Sequence, residues 1–541
     1  YLQREVLASL TGGQPAGQSA EFKSMAHLVC AVAEASRQPA YLQQLKSIRE
    51  AADQVAAKVH QTLSDALPKK EFSQLEQVLE NLHGDRLPLD SLLGKLGEGE
   101  HLSRVDTQTL QRQMQMIRDL RDLEWLLKEG PSGPGRAKYT LATGLNEASW
   151  LGRYPYNHFS TPVALWQSGL TADAALGLIE GQMRHWLDNI RLIRRGKLEA
   201  QGKYQPAVHN PELAALAWEN LEPEEKEAFP PLLLVVGPEE MQSGLAVRLP
   251  EVFAKAWPVK VVYLDHGMVG TDTGFAAIQT ALATRKAFIL QSSMAGSRHL
   301  FSGLLEGLQG PGPAFFRLLA PFGTDVAAED QARTALQTRA FPMLTFRPEK
   351  ASTYLAAGLS LEGNPQTEAE WVGSSIPLPG VQPAEPLTYF LTYADWLRTL
   401  PNWEAEFTLW TEASGFAVPV NYYLESEPAA LKGKVPVVVT ETSGPLGFTS
   451  WIPSSRVLEL TRTAGLQWKT WKEMAGIQAM FQHAQSESLE QALLAKHTAE
   501  LASMREAYEA GLKEEQDIWM GEVKVKLRDK LIALSKMKNQ A

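Results

Sequence analysis

Only a few residues of this 541-residue chain have types and spacings that could do chemistry. An aspartate closes the apolar run VKVVYLD at 259–265, and His266 and Gly267 follow it. A strand-end pair such as Asp265-His266 can serve acid–base work, although a structural role is the commoner one. TDTG at 271–274 sets Asp272 beside Thr273 and Gly274. An aspartate in that setting either organises a turn, as Asp and Gly commonly do, or offers a carboxylate to Mg²⁺, which takes an octahedron of oxygen ligands. The run PLLLVV ends at Gly237, followed by Pro238, Glu239 and Glu240. His158 sits in the loop-like YPYNHFSTP and reads as loop packing or a surface contact. The basic stretch IRLIRRGKLEAQGK at 190–203 reads as a solvated helix end whose cations face the helix dipole, with partner docking as the alternative. The chain contains no H-E-x-x-H, no phosphate-binding G-x-x-x-x-G-K-S/T, no G-x-S-x-G elbow and no G-x-G-x-x-G.

Composition narrows the classes. The formal net charge of -10 argues against a nucleic-acid partner, because phosphate binding needs a concentrated basic surface. The single cysteine, Cys30 in MAHLVCAVAEA, excludes a disulfide framework and any cysteine-ligated iron–sulfur cluster built from this chain alone. It reads as a buried small hydrophobe and accords with a reducing, cytoplasmic compartment. No apolar run reaches the roughly 20 residues of a membrane-spanning helix. No signal peptide is visible, and the chain begins at Tyr1 rather than Met.

The elements that would position these residues are legible from periodicity. Apolar positions three and four apart predict helices over Phe22–Ser36, over Tyr41 to about Leu67, over Phe72–Leu82 and over Asp106–Lys128, so region 1–130 is expected to be helical. From 137 the pattern changes. Strand-like runs at 138–143, 231–237, 259–265, 286–293 and 313–320 alternate with helical stretches at 172–195, 245–256, 275–284 and 298–308. Continuous apolar strands between amphipathic helices imply an α/β fold, a mostly parallel sheet with helices on both faces. Region 351–470 is a mixed extension rich in Pro and Trp, with strands expected at VPVNYYLE (418–425) and KVPVVVTET (434–442). Region 471–541 is expected to form a long helical arm, or a hairpin folded back on its own domain.

Within 131–350, about two fifths of the chain, successive segments resemble the C-terminal, thiamine-pyrophosphate-binding domain of pyruvate:ferredoxin or flavodoxin oxidoreductases. GRAKYTLATGLNEASWLG (135–152) is similar to the family's A-T-G-C-S-S-I-W-G, and LWQSGLTADAALGLIEG (165–181) to its W-x-N-S-L-F-E-D-N-A-E-F-G-x-G. LLLVVGPEEMQSGLAVRLPEVFA (232–254) stands where the family has a strand, then G-D-G, then a helix. VKVVYLDHGMVGTDTGF (259–275) resembles V-L-D-T-E-V-Y-S-N-T-G-G, and QGPGPAFFRLLAPFGTD (309–325) resembles P-G-P-S-L-I-x-A-Y-A-P-C. ALQTRAFPMLTFRP (335–348) is similar to A-V-x-S-R-x-x-P-L-F-x-Y-x-P, and LEGNP (361–365) to the L-D-G-N-P of some relatives.

The resemblance implies a thiamine-diphosphate-binding-like fold and a site at Gly237, Asp272, Thr273 and Gly274, with Asp272 as the possible Mg²⁺ ligand. It also exposes losses. Pro238 stands where the family's G-D-G aspartate binds the metal, and proline offers neither a carboxylate nor an N–H. Leu145 and Phe322 replace two cluster-ligating cysteines, and no C-x-x-C exists, so the family's electron-transfer route is gone. The expected function is that of a family-like component without a cofactor, structural or interacting, in a larger assembly. It would act through protein partners, self-association or docking to catalytic oxidoreductase chains. The alternative is a catalytic 2-oxoacid oxidoreductase subunit that binds thiamine diphosphate with Mg²⁺ through altered ligands.

Overall fold

The computed structural model describes residues 20–66, 107–130, 137–144, 151, 163–166, 171–267, 273–321, 328–376, 387–441, 447–477 and 480–538. The helix expected over Phe72–Leu82 lies outside these residues. The chain divides into two compact units, Tyr1–Ala475 and Gly476–Ala541.

In the first unit, helices α1 (Ala20–Ala66), α2 (Thr107–Lys128) and α3 (Thr171–Ala200) precede or interleave with the first strands. Two helices were expected on either side of Pro39, yet α1 runs through it. Proline removes one helical hydrogen bond and crowds the preceding turn, so tertiary contacts must hold the two halves in line. Arg37 donates to the carbonyls of Glu227 (2.6 Å) and Leu308 (2.7 Å), and Tyr41 Oη donates to Leu127 O (3.0 Å). Those anchors bracket the proline.

The strands are β1 (Thr140–Gly144), β2 (Val163–Trp166), β3 (Leu232–Val236), β4 (Val259–Asp265), β5 (Phe288–Ser292), β6 (Ala314–Leu319), β7 (Leu344–Phe346) and β8 (Leu359–Ser360). They form one eight-stranded sheet in the order β2-β1-β3-β4-β6-β5-β7-β8. The first six run parallel, and β7 and β8 continue antiparallel beside β5. Helices α4 (Ala246–Ala254), α5 (Thr273–Thr284), α6 (Ser297–Gln309) and α7 (Ala328–Gln337) make the crossovers. The α/β reading therefore holds. Every residue of β3 and β4 is buried, as a sheet covered on both faces requires.

One face packs against α1 and α6. Phe22, Val29 and Ala33 of α1 meet Leu233, Val235, Val262, Leu290, Phe316 and Leu318 of the sheet and Leu300 and Leu304 of α6. Cys30 belongs to this core, and burial pushes its thiol up to about 11, so it behaves as the small hydrophobe expected. Side chains of opposite parity along the strands face the other layer, where α5 packs on β5 and β6.

At the amino end of the sheet, Lys260 is the one cation in β4. Its Nζ, buried, donates to the carbonyls of Gly307, Gly310 and Gly312 at 2.8, 2.7 and 2.6 Å. These lie at and beyond the end of α6, where helix carbonyls lack internal partners and a cation meets the negative pole of the dipole. Arg37 adds donors to Leu308 and Gly310. Burial pulls the Arg37 guanidinium down to about 10 and the Lys260 ammonium well below its ordinary value.

Beyond β8 come a two-stranded pair, β9 (Val372–Ile376) with β10 (Leu387–Leu391), and a four-stranded sheet. The latter joins β11 (Phe407–Leu409), β12 (Phe416–Pro419), β13 (Lys434–Glu441) and β14 (Phe448–Pro453). The strand expected over 418–425 is a strand only to Pro419; Val420–Glu425 is helical. Pairing with β13 ends at Pro419, since proline has no N–H with which to continue a ladder. Helices α8 (Tyr393–Arg398) and α9 (Ser455–Met474) close this region, and Trp396, Leu397, Phe407, Val438 and Val457 form a second core with Leu319 and Phe341.

The second unit is helix α10 (Met480–Lys538). From Glu490 to 533 its side chains are exposed, apart from half-buried Val523. No described helix is long and apolar enough to cross a membrane.

Close packing of α6 on β5 rests on two glycines. A Cβ on Gly303 would lie 2.4 Å from Leu290 Cδ1, and one on Gly307 would lie 2.5 Å from Phe288 Cδ1. Gly303→Leu is expected to lower stability by about 1–3 kcal/mol through overpacking. Thermal unfolding followed by circular dichroism checks this, and an unchanged midpoint contradicts the packing.

Candidate functional site

In an open parallel sheet the carboxyl ends of adjacent strands open a crevice where their connections diverge. Here β1 leads outward to β2 while β3 leads inward to β4, so the crevice lies between β1 and β3. Gly237 ends β3 and is buried. Its N–H donates to Glu240 Oε2 at 3.0 Å. Glu240, only 1% exposed, folds back over the end of β1: a Cβ on Gly144 would lie 2.1 Å from Glu240 Oε1. Burial raises the Glu240 carboxyl above its ordinary range, while the N–H groups of Glu240 itself and Gly237 favour the ionised form. A turn of π-helix, Met241–Leu245, then leads into α4, and Gly244 within it adopts φ 121°, a conformation open to glycine.

The second strand-end cluster lies between β4, β6 and β5. Asp265, 3% exposed, accepts from Arg317 Nε and Nη2, both at 2.7 Å, and from the Gly267 N–H at 2.9 Å. Arg317 Nη1 donates to Gln291 Oε1 at 2.9 Å, and Gln291 Nε2 donates to Pro342 O at 2.7 Å. The guanidinium lies 4.8 Å from the centre of the Phe341 ring. His266 turns elsewhere, donating from Nδ1 to Ala320 O at 3.1 Å. Asp265 and His266 are thus committed to separate structural partners rather than to each other.

Thr273 opens α5, half-buried, and Gly274 follows it, buried. A Cβ on Gly274 would lie 2.1 Å from Arg317 Cζ. The positive end of this helix therefore faces a guanidinium of the chain itself. Asp272, Leu145, His158 and Phe322 lie outside the described residues. Those that are described do not fit a magnesium diphosphate. The Gly237 N–H is taken by Glu240, Pro238 has none, the buried Glu240 carboxylate would repel a phosphate, and Arg317 fills the space beside Gly274. Among the described residues no group of three or more His, Cys, Asp or Glu could hold a metal.

Next to the Asp265–Arg317 pair is a pocket of about 270 Å³. Arg317, Phe341, Phe275 and Gly267 line it from the sheet side, Tyr393 and Trp396 from α8, and Thr463, Gln467, Trp468 and Trp471 from α9. Arg339 also lines it, stacked 4.1 Å from the centre of the Trp468 ring. Sequence reasoning did not find these residues as a group, because they come from six separated segments. One signal was available: Arg317 is a lone charge in the apolar run PAFFRLLA (313–320), which requires a buried partner.

A third cluster has the types of a nucleophilic dyad but not its chemistry. His299 Nδ1 lies 2.9 Å from Ser292 Oγ and Nε2 lies 2.9 Å from Thr345 Oγ1. Ser292 is wholly buried, and both ring nitrogens are occupied by hydroxyls rather than one by a carboxylate. The cluster ties β5, α6 and β7 together.

No known protein-family model matches the chain. No curated protein matches it significantly either.

Helix α8 brings Tyr393 and Trp396 to the pocket through a buried cap. Asp395 accepts from Tyr389 Oη (2.6 Å), Thr392 N (2.7 Å) and Thr392 Oγ1 (2.7 Å). Burial raises its carboxyl from 3.8 to about 6, against those hydrogen bonds. Because the folded value lies above the unfolded one, this term stabilises the fold fully below pH 3.8 and is lost as pH rises through about 6. Between pH 3.5 and 7.5 the wild type is expected to lose about 3 kcal/mol relative to Asp395→Asn. Urea unfolding of both proteins at the two pH values checks this, and a pH-independent difference contradicts it.

Proposed function

We propose that the chain is a non-catalytic component resembling the thiamine-binding domain of pyruvate:ferredoxin oxidoreductases, acting structurally inside a larger assembly. One observation carries the reading: the crevice between β1 and β3 and the start of α5 are each occupied by one of the protein's own side chains. Glu240 lies over Gly144, and Arg317 abuts Gly274. Two charged side chains occupy the space where the resemblance would put a diphosphate and its metal. Pro238, Leu145 and Phe322, read from the sequence, support the same conclusion. The single, buried Cys30 accords with work in the cytoplasm.

The contact with the assembly is assigned to α10. An isolated helix of this length normally needs a partner face. Leu494, Leu501, Met504, Tyr508 and Leu512 follow each other at spacings of seven, three, four and four, all exposed. That is a seam of the kind that pairs with another helix, and a second copy of this chain is the partner to test first.

Titrating the protein with thiamine diphosphate and Mg²⁺ in a calorimeter is expected to give no saturable heat. Micromolar binding that Asp272→Ala abolishes would instead establish a catalytic subunit with altered ligands. For the arm, light scattering is expected to show self-association that truncation after Gln482 removes, and the same number of subunits in both proteins refutes it.

A further inference from the structure

We propose that the pocket between the β4–β6 strand ends and helix α9 is a binding site for a small aromatic carboxylate, beyond and independent of the function proposed above. The argument starts from charge. Arg317 is matched by Asp265 at 2.7 Å, and Glu370 is matched by Lys469 at 3.0 Å. Arg339 is different. It is only 3% exposed, and its guanidinium donates to carbonyls alone, those of Gln366 (2.9 Å), Glu370 (3.4 Å) and Ala369 (3.5 Å). Its Nη1 is buried with no hydrogen-bond partner. Burial pulls Arg339 down to about 10, which leaves it cationic at neutral pH. A buried cation without a countercharge costs several kcal/mol, and a buried donor without an acceptor calls for an explanation. An anion in the adjoining pocket supplies both.

Geometry then selects the anion. Arg317 uses Nε and Nη2 on Asp265 and Nη1 on Gln291. Each η nitrogen carries two N–H groups, so each keeps one for a ligand oxygen. That suits a planar carboxylate, which arginine engages in paired fashion. Six aromatic rings also line it, Phe275, Phe341, Tyr393, Trp396, Trp468 and Trp471, beside the polar Gln291, Thr463 and Gln467. Phe275 and Trp471 already meet edge to face at 4.8 Å. A volume of about 270 Å³ equals the share of roughly nine liquid waters, room for one ring and its carboxylate.

The test uses the full chain with benzoate and 3-phenylpropionate as probes and benzamide as the neutral isostere of benzoate. Three pocket tryptophans provide a fluorescence readout beside calorimetry. Saturable carboxylate binding with Kd below about 1 mM is expected, with benzamide at least about tenfold weaker, or ~1.4 kcal/mol. Arg339→Met is expected to weaken benzoate by at least about tenfold as well. Because that change also disturbs the Trp468 stack, Thr463→Trp is the second variant. Thr463 is an exposed α9 residue on the pocket wall, so this substitution closes the mouth without entering the core, and it should abolish binding. No saturable signal for either carboxylate up to about 10 mM, equal binding of benzamide, or binding undisturbed by Thr463→Trp overturns the assignment.

Discussion

Arg317 cannot leave its place between Asp265 and Gln291 without stranding a carboxylate inside the protein. Breaking such a pair from one side costs about 3–5 kcal/mol, so the carboxyl ends of β4, β5 and β6 are held in register by ionic contacts as well as by the ladder. The same pair sets what surrounds it. Gly274 must be glycine for α5 to approach the guanidinium, Phe341 lies across its face, and Pro342 receives the far end of Gln291. The second core, built on Phe341, Trp396 and Leu319, is laid on that platform.

The opposite end of the sheet follows the same rule with different partners. Lys260 and Arg37 meet peptide carbonyls rather than carboxylates, and they converge on Gly310. Carbonyls at a helix end are already electron-rich and unpaired, so they offset part of the cost of burying a cation. At both ends the charged side chains are held first by partners within the protein. A fold whose strand ends are occupied internally has traded the usual ligand crevice for rigidity, and the one remaining opening is displaced sideways, to the α9 face.

Much of the fold was legible in the residues. Short runs rich in β-branched and apolar residues, such as LLLVV and VKVVYLD, fit strands buried on both faces, and the helices between them carried clear three-four spacing. What stayed hidden depended on distance along the chain. Pro39 looked like a helix stop because the contacts that carry α1 through it come from Glu227 and Leu308. VPVNYYLE read as one strand because its β-branched and aromatic residues satisfy either pattern, while Pro419 alone marks the change. Pro238 was visible as a lost ligand. That Glu240 would take over the Gly237 N–H was not, since its reach depends on the turn that Pro238 starts. The pocket was invisible for a simpler reason: its aromatic wall is assembled from segments separated by nearly two hundred residues.

The anchoring of α1 bears on how the protein is made. Arg37 meets its acceptors on Leu308 and Gly310 across 271 and 273 positions of sequence. On a ribosome adding about 5–20 residues per second, those carbonyls emerge roughly 14 to 55 seconds after the arginine. The stripe of Phe22, Val29 and Ala33 can meet β3 and β4 within that interval, but α6 and β6, which complete its cover, come only at its end. Helix α1 is thus anchored only after most of the sheet has been made, and its apolar stripe stays partly uncovered until then.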